Sequence, residues 1–465
     1  MIRVRFAPSP TGMMHLGNVR VALFNYLFAQ QKKGKFLLRI EDTDLERNIP
    51  GSDLKIIEDL AWLGLSYDEG PGKEGLVGPY LQSDRSHIYK SKLSELIDGN
   101  KVYRCFCTVE ELEAKRKRQI KLKMPPVYDR SCLRLSDDMI KAKLIANISF
   151  AWRFKLNQES YVELVTFERG VMRFGLNNFS DPVLTRADGL VTFIFANFID
   201  DWLMKITHII RGEDHLSNSA VQAAMFIEFA IPVPVYWHLP FVCNVDGKKL
   251  SKRDFGFSLD DLSQAGFLPE AILNYLAALG SSLVPEVQSL DELCHGYNFS
   301  KVSGSGPIRF DIDKLTWFNH QWINRCDVQD LTQRVRPFLI AKIAAAQHMS
   351  DAEMSFLILK IQKEMKHLTD AATFLSFVFE EPTIILEAMS DRIGKQKVTQ
   401  VMQVVKKHLD TIEQQEAFLF KIKNDAKSLG LKNGDLFCII RYALIGNFEG
   451  IGIHDLLQML PVETV

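Results

Sequence analysis

Hydrophobic and polar positions at the start of the chain predict a strand, a helix and a second strand. Ile2, Val4 and Phe6 alternate with polar residues, as in a short strand. Over 18–33, apolar residues recur at steps of three and four, which predicts a helix that stops at Gly34. KFLLRIEDTD follows as a predicted buried strand that ends in carboxylates. Three such elements within about forty residues predict a βαβ unit, and therefore a parallel sheet with a right-handed crossover.

The pattern changes again farther along the chain. The segment 80–190 mixes short strands with a basic helical run and holds three of the seven cysteines. Buried-strand character returns in LVTFIFANFIDDW and ITHIIRGEDH, which indicates an insertion after which the sheet resumes. Past Leu250, stretches such as MSFLILKIQKEMKHLTDAATFLSFVFEE predict a helix bundle. The predicted regions are 1–80 with 190–250 (α/β domain), 81–189 (insertion), 251–323 (connecting region) and 324–465 (helical region).

The composition is that of a globular protein, with 47% apolar and 24% charged residues in a chain of 465. A chain of this length exceeds a single core, so we expect about three domains. The net charge of −1 does not exclude nucleic-acid binding, because a local basic face suffices. We expect no membrane span and no secretion signal. The seven cysteines do not form the pattern of a disulfide framework, which favours a reduced, cytoplasmic protein.

The stretch APSPTGMMHLGN lies between the first predicted strand and the first predicted helix. Ligands of parallel sheets bind there, beyond the carboxyl ends of the strands. The prolines stiffen the turn, while Gly12 and Gly17 allow a ligand to approach the backbone closely. The N-terminus of the helix suits a phosphate, and His15 could hydrogen-bond a phosphate or a ribose. Taken alone, the stretch is explained as well by a tight connection with an incidental histidine.

A second candidate site is DGKKLSKRD, residues 246–254. Lys248, Lys249, Lys252 and Arg253 place four cations within six residues. Such a loop suits a triphosphate whose charge must be held while pyrophosphate leaves, and a lysine can follow a moving phosphate. Taken alone, a basic run of this kind is more often a solvated loop.

Together the two stretches resemble the two signature sequences of class I aminoacyl-tRNA synthetases. The wider resemblance is to the bacterial glutamyl-tRNA synthetase family, through RFAPSPTG, ALFNYLFA, RIEDTDLER, LGLSYDEGP, GPYLQSDR, DDWLMKITHIIRGEDHLSN, PVYWHLP, DGKKLSKR, GFLPEAILNYLAALG and FDIDKLTWFN. It is dense from residue 3 to residue 323, and beyond that only helical character and length agree. The family resemblance implies an α/β, Rossmann-like catalytic domain with an inserted α+β acceptor-stem domain. It further implies that 251–323 contacts the tRNA stem and that the all-α region 324–465 binds the anticodon.

The resemblance also implies a reaction and its partners. A monomeric enzyme would activate L-glutamate with ATP and Mg²⁺ to glutamyl-adenylate and transfer the acyl group to the 3′-terminal adenosine of tRNA. The tRNA would be the glutamate isoacceptor, and it would have to bind before activation. The alternative is a member that also, or mainly, charges the glutamine tRNA. Two rival classes are a stand-alone tRNA-modifying enzyme, against which the length argues, and a non-catalytic tRNA-binding paralogue.

By the resemblance, three residues carry the activation step. His15 would stabilise the α-phosphate during attack by the carboxylate, while Lys249 and Lys252 would hold the β- and γ-phosphates. Catalysis would consist of positioning and charge stabilisation, with no covalent intermediate on a side chain. The implied ATP-binding residues are Pro10, Thr11, Gly12, His15, Gly17, Asn18, Asp214, Lys249, Ser251 and Lys252.

Two arginines match the family's substrate arginines, and a guanidinium can grip a carboxylate bidentately. Arg211 would hold the side-chain carboxylate of glutamate and so reject glutamine, and Glu41 would pair with the α-ammonium. For Arg5 and Glu41 the alternative is a structural ion pair at the sheet edge. The implied glutamate-binding residues are Arg5, Ser9, Glu41, Phe193, Asn197 and Arg211.

Phe193 departs from the family pattern, in which many members have a tyrosine in the strand before the Asp-Asp pair. The aromatic ring is kept but the hydroxyl is lost. A missing donor to a buried carboxylate costs about 1–3 kcal/mol. We therefore expect either a water in place of the hydroxyl or a somewhat looser pocket.

CFC and YDRSC contribute Cys105, Cys107, Tyr128 and Cys132. Some family members with this spacing bind zinc in the acceptor-stem domain, and three thiolates with a phenolate could form a closed structural site. The alternative is three reduced cysteines without a metal. The basic run 113–123 either contacts tRNA phosphates or is a solvated helix. The remaining cysteines are scattered and are expected to be structural: Cys243, Cys294, Cys326 and Cys438.

Overall fold

The computed structural model describes residues 1–44, 46–244, 246–250, 254–256, 258–282, 286–303 and 306–459. The chain divides into two compact units. The first unit comprises Met1–Asp261 and Leu273–Asp311, and the second comprises Leu262–Ile272 and Ile312–Val465. Ser251, Lys252 and Arg253 of the basic stretch lie outside the described residues.

The described strands all belong to the first unit. They are β1 (Arg3–Phe6), β2 (Lys35–Leu38), β3 (Val102–Cys105), β4 (Ala151–Phe154), β5 (Tyr161–Thr166), β6 (Gly170–Gly175), β7 (His208–Gly212), β8 (Val235–Leu239), β9 (Val242–Cys243) and β10 (Ile308–Arg309). β1 and β2 pair in parallel, with Arg3 opposite Lys35. A four-stranded sheet has the order β6-β5-β8-β7, in which β5, β8 and β7 are parallel and β6 is antiparallel to β5. Two strands of the predicted insertion, β5 and β6, thus extend the sheet of β7 and β8.

Helices surround these strands. Those of the first unit are α1 (Leu16–Gln31), α2 (Ser52–Trp62), α3 (Ser86–Asp98), α4 (Val109–Lys121), α5 (Asp137–Ile145), α6 (Phe193–Leu203), α7 (Leu216–Glu228) and α10 (Leu290–Gly296). Two helices contribute residues to both units, namely α8 (Leu259–Gln264) and α9 (Pro269–Ala278). α4 carries most of the predicted basic run, and none of its side chains is buried.

The predicted N-terminal βαβ unit is confirmed by β1, α1 and the parallel strand β2. The helix predicted to stop at Gly34 ends at Gln31, and the residue with positive φ between them is Lys33 (48°). Gly34 is needed because a Cβ there would lie 2.7 Å from the carbonyl oxygen of Ile2. The N–H of Thr207, just before β7, donates to the carbonyl of Arg3 (3.0 Å) and so ties β7 to β1.

The prediction of a buried strand in LVTFIFANFIDDW is wrong, because this segment contains α6. Every residue in Phe195–Asp201 is buried, so the segment has no exposed face, and a short, mostly apolar run does not by itself distinguish helix from strand. Phe193, expected in a strand, is therefore the first residue of a helix. The helix carries Asp200 and Asp201 into the interior, where each pairs with at least one arginine.

The second unit confirms the predicted all-α character of the C-terminal region. Beyond its share of α8 and α9, its described helices are α11 (Ile312–Arg325), α12 (Val328–Lys342), α13 (Asp351–Ile361), α14 (Asp370–Phe379), α15 (Leu386–Ile393), α16 (Lys395–Lys407), α17 (Gln415–Ser428), α18 (Asn433–Ile445) and α19 (Ile453–Met459). In α12, Leu331, Val335 and Leu339 are buried at a four-residue spacing, as expected of an amphipathic helix. Among the described residues, no helix combines the length and the apolar composition required to cross a membrane.

Candidate active site

A cleft of about 770 Å³ lies beyond the carboxyl ends of the parallel strands β1, β2, β7 and β8. Its walls come from the segments that follow these strands and from the start of α6. Parallel sheets bind their ligands in this position, because the loops and helix N-termini converge there.

The structure brings together almost all of the predicted site residues that it describes. Pro10 is the exception, since it is buried beneath the turn and its carbonyl accepts from the N–H of Ile49 (2.9 Å). Ser251 and Lys252 lie outside the described residues. The predicted residues that line the cleft are Arg5, Ser9, Thr11, Gly12, His15, Gly17, Asn18, Glu41, Phe193, Asn197, Arg211, Asp214 and Lys249.

His15 caps the N-terminus of α1. Its Nδ1 accepts from the N–H of Asn18 (3.2 Å), and its own N–H donates to Oδ1 of Asn18 (3.4 Å). Burial and the nearby Lys249 lower the pKa of His15 to about 4, so the ring is neutral at pH 7. Since Nδ1 accepts a hydrogen bond, the proton of the neutral ring is on Nε2. His15 is thus an uncharged donor, an arrangement that the sequence alone does not reveal.

Gly17 leaves room for the ring of His15. A Cβ at position 17 would lie 2.9 Å from Cε1 and 3.0 Å from Nδ1 of His15. The sequence predicts close approach of a ligand at Gly17, but in the structure the imidazole of His15 takes the space beside it. Gly17 therefore acts on the site at least partly through His15.

Backbone contacts join the opening stretch to the chain that follows KLSKR. Ser258 forms a β-bridge with His15, and the N–H of Leu259 donates to the carbonyl of Met14 (2.9 Å). Lys249 lies on the cleft wall, 3.7 Å from a carboxylate oxygen of Asp214 and more than half exposed. The two motifs, far apart in sequence, therefore border one cleft.

Arg211, at the end of β7, is a buried guanidinium with unused donors. Its Nη2 donates to Oγ of Ser219 (2.6 Å) and to Oε1 of Gln222 (2.8 Å). Its Nε and Nη1 are buried and have no hydrogen-bond partner among the described residues. Burial lowers the pKa of Arg211 to about 10, which still leaves it charged at pH 7. A buried cation with two unused donors is a strong site for a carboxylate.

Arg5 lines the cleft but is held by a carboxylate of α6. Its Nε and Nη2 donate to the two oxygens of Asp201 (3.1 and 3.4 Å), and Nη1 donates to the carbonyl of Ile210 (3.4 Å). The ion pair that the sequence analysis considered as the alternative therefore exists for Arg5, with Asp201 rather than with Glu41 as its partner.

Arg39, which the sequence analysis missed, is the partner of Glu41. It is completely buried, and it donates to Oε1 of Glu41 (2.9 Å) and to Oδ1 of Asp201 (2.8 Å). The same oxygen of Glu41 accepts from Nδ2 of Asn197 (2.6 Å). The signal in the sequence was an arginine inside the apolar strand KFLLRIED, where an unpaired charge would be costly.

Phe193 packs against a histidine at the mouth of the cleft. Its ring lies 5.4 Å from the ring of His215, with the planes tilted by 35°. Burial and Arg211 lower the pKa of His215 to about 4, so this ring too is neutral at pH 7. Phe193 thus keeps an aromatic wall, although it offers no hydroxyl.

The cysteine motif also forms a cluster. The Sγ atoms of Cys105, Cys107 and Cys132 all lie within 4.8 Å of one another, with 3.6 Å between Cys107 and Cys132. Oη of Tyr128 lies 3.4 Å from Sγ of Cys105 and 3.6 Å from Sγ of Cys107. A tetrahedral ion with bonds of about 2.0–2.3 Å separates its ligands by about 3.3–3.8 Å. The distances from Tyr128 to Cys105 and Cys107, and between Cys107 and Cys132, fall in this range.

Comparisons with known proteins agree with the predicted family. Residues 1–317 match the catalytic domain of the class I tRNA synthetases (E and Q), and residues 330–465 match an anticodon-binding domain. A glutamate–tRNA ligase of Finegoldia magna is 34% identical, over 100% of this chain and 97% of its own. One of Borreliella afzelii is 36% identical, over 100% of this chain and 96% of its own.

Solved structures give the same result. A crystal structure of a glutamate tRNA ligase from Elizabethkingia meningosepticum CCUG26117, in complex with its amino acid, has a TM-score of 0.83 at 31% identity, covering 100% of this chain and 97% of that one. The glutamate–tRNA synthetase of Elizabethkingia anophelis has a TM-score of 0.84 at 31% identity, covering 99% and 97%. The predicted family and fold class are confirmed. The chain belongs to the class I tRNA synthetases for glutamate and glutamine, within the family of glutamate–tRNA ligases.

Proposed function

We propose that this chain activates L-glutamate with ATP and transfers the glutamyl group to the 3′-terminal adenosine of a tRNA. The observation that carries the proposal is Arg211, a buried guanidinium with two unused donors in the cleft that His15 also borders. Glutamate offers that cation a carboxylate, whereas glutamine offers a neutral amide that cannot satisfy its charge. The solved relative from Elizabethkingia meningosepticum is described as bound to its amino acid.

The glutamate site follows from the charges around Arg211. Its two unused nitrogens would receive the side-chain carboxylate, and Glu41 with Asn197 would receive the α-ammonium. Arg39 donates to one oxygen of Glu41 and favours its charged form, against the burial that raises the pKa of this carboxyl. Arg5, already bound to Asp201, would border the bound glutamate, with Ser9 and Phe193 completing the wall.

The ATP site is the N-terminus of α1 and the loops beside it. Nε2–H of His15 would donate a hydrogen bond to the α-phosphate. The imidazole is neutral, so it would not cancel the negative charge of the phosphate. Lys249 would hold the outer phosphates, together with Lys252 as the family resemblance implies. Thr11, Gly12, Gly17, Asn18 and Asp214 border the same space. Mg²⁺ would enter with ATP and neutralise part of the triphosphate charge.

The chemistry needs no nucleophilic side chain. A carboxylate oxygen of glutamate attacks the α-phosphorus, and the bond to pyrophosphate breaks. A ribose hydroxyl of the tRNA then attacks the carbonyl carbon of the adenylate, and AMP leaves. What the cleft supplies is positioning and charge stabilisation.

Glutamate-dependent exchange of pyrophosphate into ATP, with and without total tRNA, tests this function. We expect exchange only when tRNA is present, as the family resemblance implies. Absence of exchange in the presence of tRNA would exclude the ligase function and favour a tRNA-binding paralogue. Charging purified transcripts of the glutamate and glutamine tRNAs then decides between a discriminating and a non-discriminating enzyme. We propose that the enzyme acts as a cytoplasmic monomer on the glutamate isoacceptor.

Adding the missing hydroxyl should tighten glutamate binding. We expect Phe193→Tyr to lower the KM for glutamate about three- to tenfold, the effect of one net hydrogen bond. The KM for ATP should not change. Phe241→Tyr is a matched control, because Phe241 lines the cleft beside Lys249 rather than beside His215. If KM for glutamate stays the same in Phe193→Tyr, the pocket has already compensated for the loss.

We also propose that Cys105, Cys107, Tyr128 and Cys132 hold one structural Zn²⁺. The spacing of the four atoms supports this, as does the N–H of Phe106, which donates to Sγ of Cys132 (3.3 Å). Zinc would cross-link the loop after β3 to the segment before α5, and all four positions would be filled by protein. The site is therefore structural and takes no part in the reaction.

Metal content tests the zinc site. We expect about one equivalent of zinc in the purified protein, and less than about a tenth in Cys107→Ser/Cys132→Ser, because two of four ligands are lost. Cys294→Ser is the control, since this buried thiol lies outside the cluster. Less than about a tenth of an equivalent in the unmodified protein would contradict the site.

A further inference from the structure

Four buried side chains form a continuous hydrogen-bonded chain, three of them on the cleft wall and the fourth, Gln222, behind it. Nη2 of Arg211 donates to Oε1 of Gln222 (2.8 Å), and Nε2 of Gln222 donates to Oδ1 of Asn197 (3.0 Å). Nδ2 of Asn197 donates in turn to Oε1 of Glu41 (2.6 Å). Each of the four is at most 5% exposed. The chain joins the cation and the anion that, in the proposed function, hold the two ends of glutamate.

Only one orientation of the two amides satisfies this chain. A guanidinium can only donate hydrogen bonds, and an ionised carboxylate can only accept them. The amide oxygen of Gln222 must therefore face Arg211, and the amide nitrogen of Asn197 must face Glu41. A second bond, from Nε2 of Gln222 to the carbonyl of Ile194 (3.3 Å), fixes the same orientation of the Gln222 amide.

The neutrality of Gln222 matters as much as its hydrogen bonds. Among the described residues, no carboxylate lies within ion-pair distance of Arg211. The amide oxygen of Gln222 therefore holds the guanidinium in place without cancelling its charge. A carboxylate at this position would form an internal ion pair with Arg211, and the cation would no longer require a carboxylate from the substrate.

We propose that Gln222 is a positioning residue that sets the specificity for glutamate, a role that rests on the proposed function. It does not line the cleft and touches the substrate only through Arg211 and Asn197. It orients both ends of the glutamate site with one amide. It also keeps the charge of Arg211 available, which is what distinguishes a carboxylate from an amide in the ligand.

Two substitutions separate these two contributions in tRNA-dependent pyrophosphate exchange. Gln222→Glu keeps an acceptor for Arg211 but adds a charge and removes the donor to Asn197. We expect its KM for glutamate to rise about a hundredfold, and its preference for glutamate over glutamine to fall at least tenfold. Gln222→Met removes the bonds to Arg211, Asn197 and the carbonyl of Ile194 without adding a charge, so KM for glutamate should rise only about tenfold and the preference for glutamate should persist. In both variants the KM for ATP should stay within about twofold of wild type.

Gln82→Met controls for the cost of losing a buried amide. Gln82 is completely buried and donates to Oδ2 of Asp200 (2.8 Å), but it does not line the cleft. Its substitution should lower the melting temperature without changing the preference for glutamate over glutamine. Melting curves of all variants show whether a loss of activity is merely a loss of fold.

The outcomes distinguish this inference from the proposed function. If the wild-type protein gives no glutamate-dependent exchange, the proposed function fails and Gln222 has no such role. If the wild type is active but Gln222→Glu keeps the wild-type preference for glutamate, the positioning role is overturned. It is also overturned if Gln222→Glu and Gln222→Met raise the KM for ATP and the KM for glutamate by the same factor, since that result indicates a structural role only.

Discussion

Replacing Arg211 by glutamine should lower kcat/KM for glutamate about a thousandfold or more in pyrophosphate exchange. The substitution removes a buried cation of the cleft wall whose Nε and Nη1 have no hydrogen-bond partner among the described residues, whereas Arg20 leaves only its Nε unpartnered there. Hydrogen bonds between charged groups contribute about 1.5–3 kcal/mol each, and two of them would be lost. The loss should fall on glutamate, whereas KM for ATP should remain near its original value.

Two further variants sharpen this prediction. Arg211→Lys keeps a positive charge but not the planar fork, so we expect an intermediate loss of about ten- to a hundredfold. Arg20→Gln is a matched control, because Arg20 is also a buried arginine on the cleft wall whose pKa burial lowers to about 10. Two of its nitrogens are occupied, by the carbonyls of Pro240 and Leu279. If Arg211→Gln and Arg20→Gln changed the KM for glutamate equally, Arg211 would not be the carboxylate site.

Replacing Arg39 by methionine should destabilise the first unit by about 3–5 kcal/mol, the usual cost of breaking a buried ion pair from one side. Arg39 contacts the carboxylates of Glu41 (2.9 Å), Asp201 (2.8 Å) and Asp200 (3.8 Å), all in the interior. Asp201 and Asp200 keep other arginine partners, whereas no ion pair of Glu41 with another arginine exists within the described part of the chain. The lowered midpoint of the first thermal transition measures the effect, and aminoacylation should fall because Glu41 loses its orientation.

The deficit of Arg39→Met should depend on pH. Burial raises the pKa of Glu41, and Arg39 opposes that rise. Without Arg39 the pKa of the folded state rises further above that of the unfolded chain, so the folded protein binds a proton more readily. In the Arg39→Met variant, the contribution of Glu41 to stability is therefore retained below its unfolded pKa of about 4. This contribution is lost as the pH rises above that value. We therefore expect a larger deficit at pH 8 than at pH 5.

Arg3→Met controls for the loss of an arginine from the same region. Arg3 forms a bidentate pair with Glu69 (2.8 and 3.0 Å), but both side chains are partly exposed. Water can replace that partner, so the cost should be about 1 kcal/mol, with little dependence on pH between 5 and 8. If Arg3→Met and Arg39→Met lowered the free energy of unfolding equally, the buried carboxylates would not need Arg39 as their cation.

The residue order of the chain was enough to predict the N-terminal βαβ unit and the helical C-terminal region, and the family resemblance supplied most of the residues that border the cleft. Local pattern also accounts for the position of the opening stretch, because a loop after a parallel strand must lie at the carboxyl edge of the sheet. The cysteine cluster could also be predicted from the sequence, because its members lie on two short segments with a characteristic spacing.

Tertiary structure alone decided which charged and polar side chains meet. Arg39 donates a hydrogen bond to Asp201, 162 positions away in the sequence, and Asn197 donates one to Glu41, 156 positions away. No local sequence pattern predicts either contact. The strand expected near residue 190 became α6 because a short, buried and mostly apolar run is compatible with either element until the chain has packed. The tautomer of His15 and the free charge of Arg211 follow from burial and partners, which exist only once the chain has folded. The sequence therefore determined which groups border the site, and packing determined which of them remain available to a substrate.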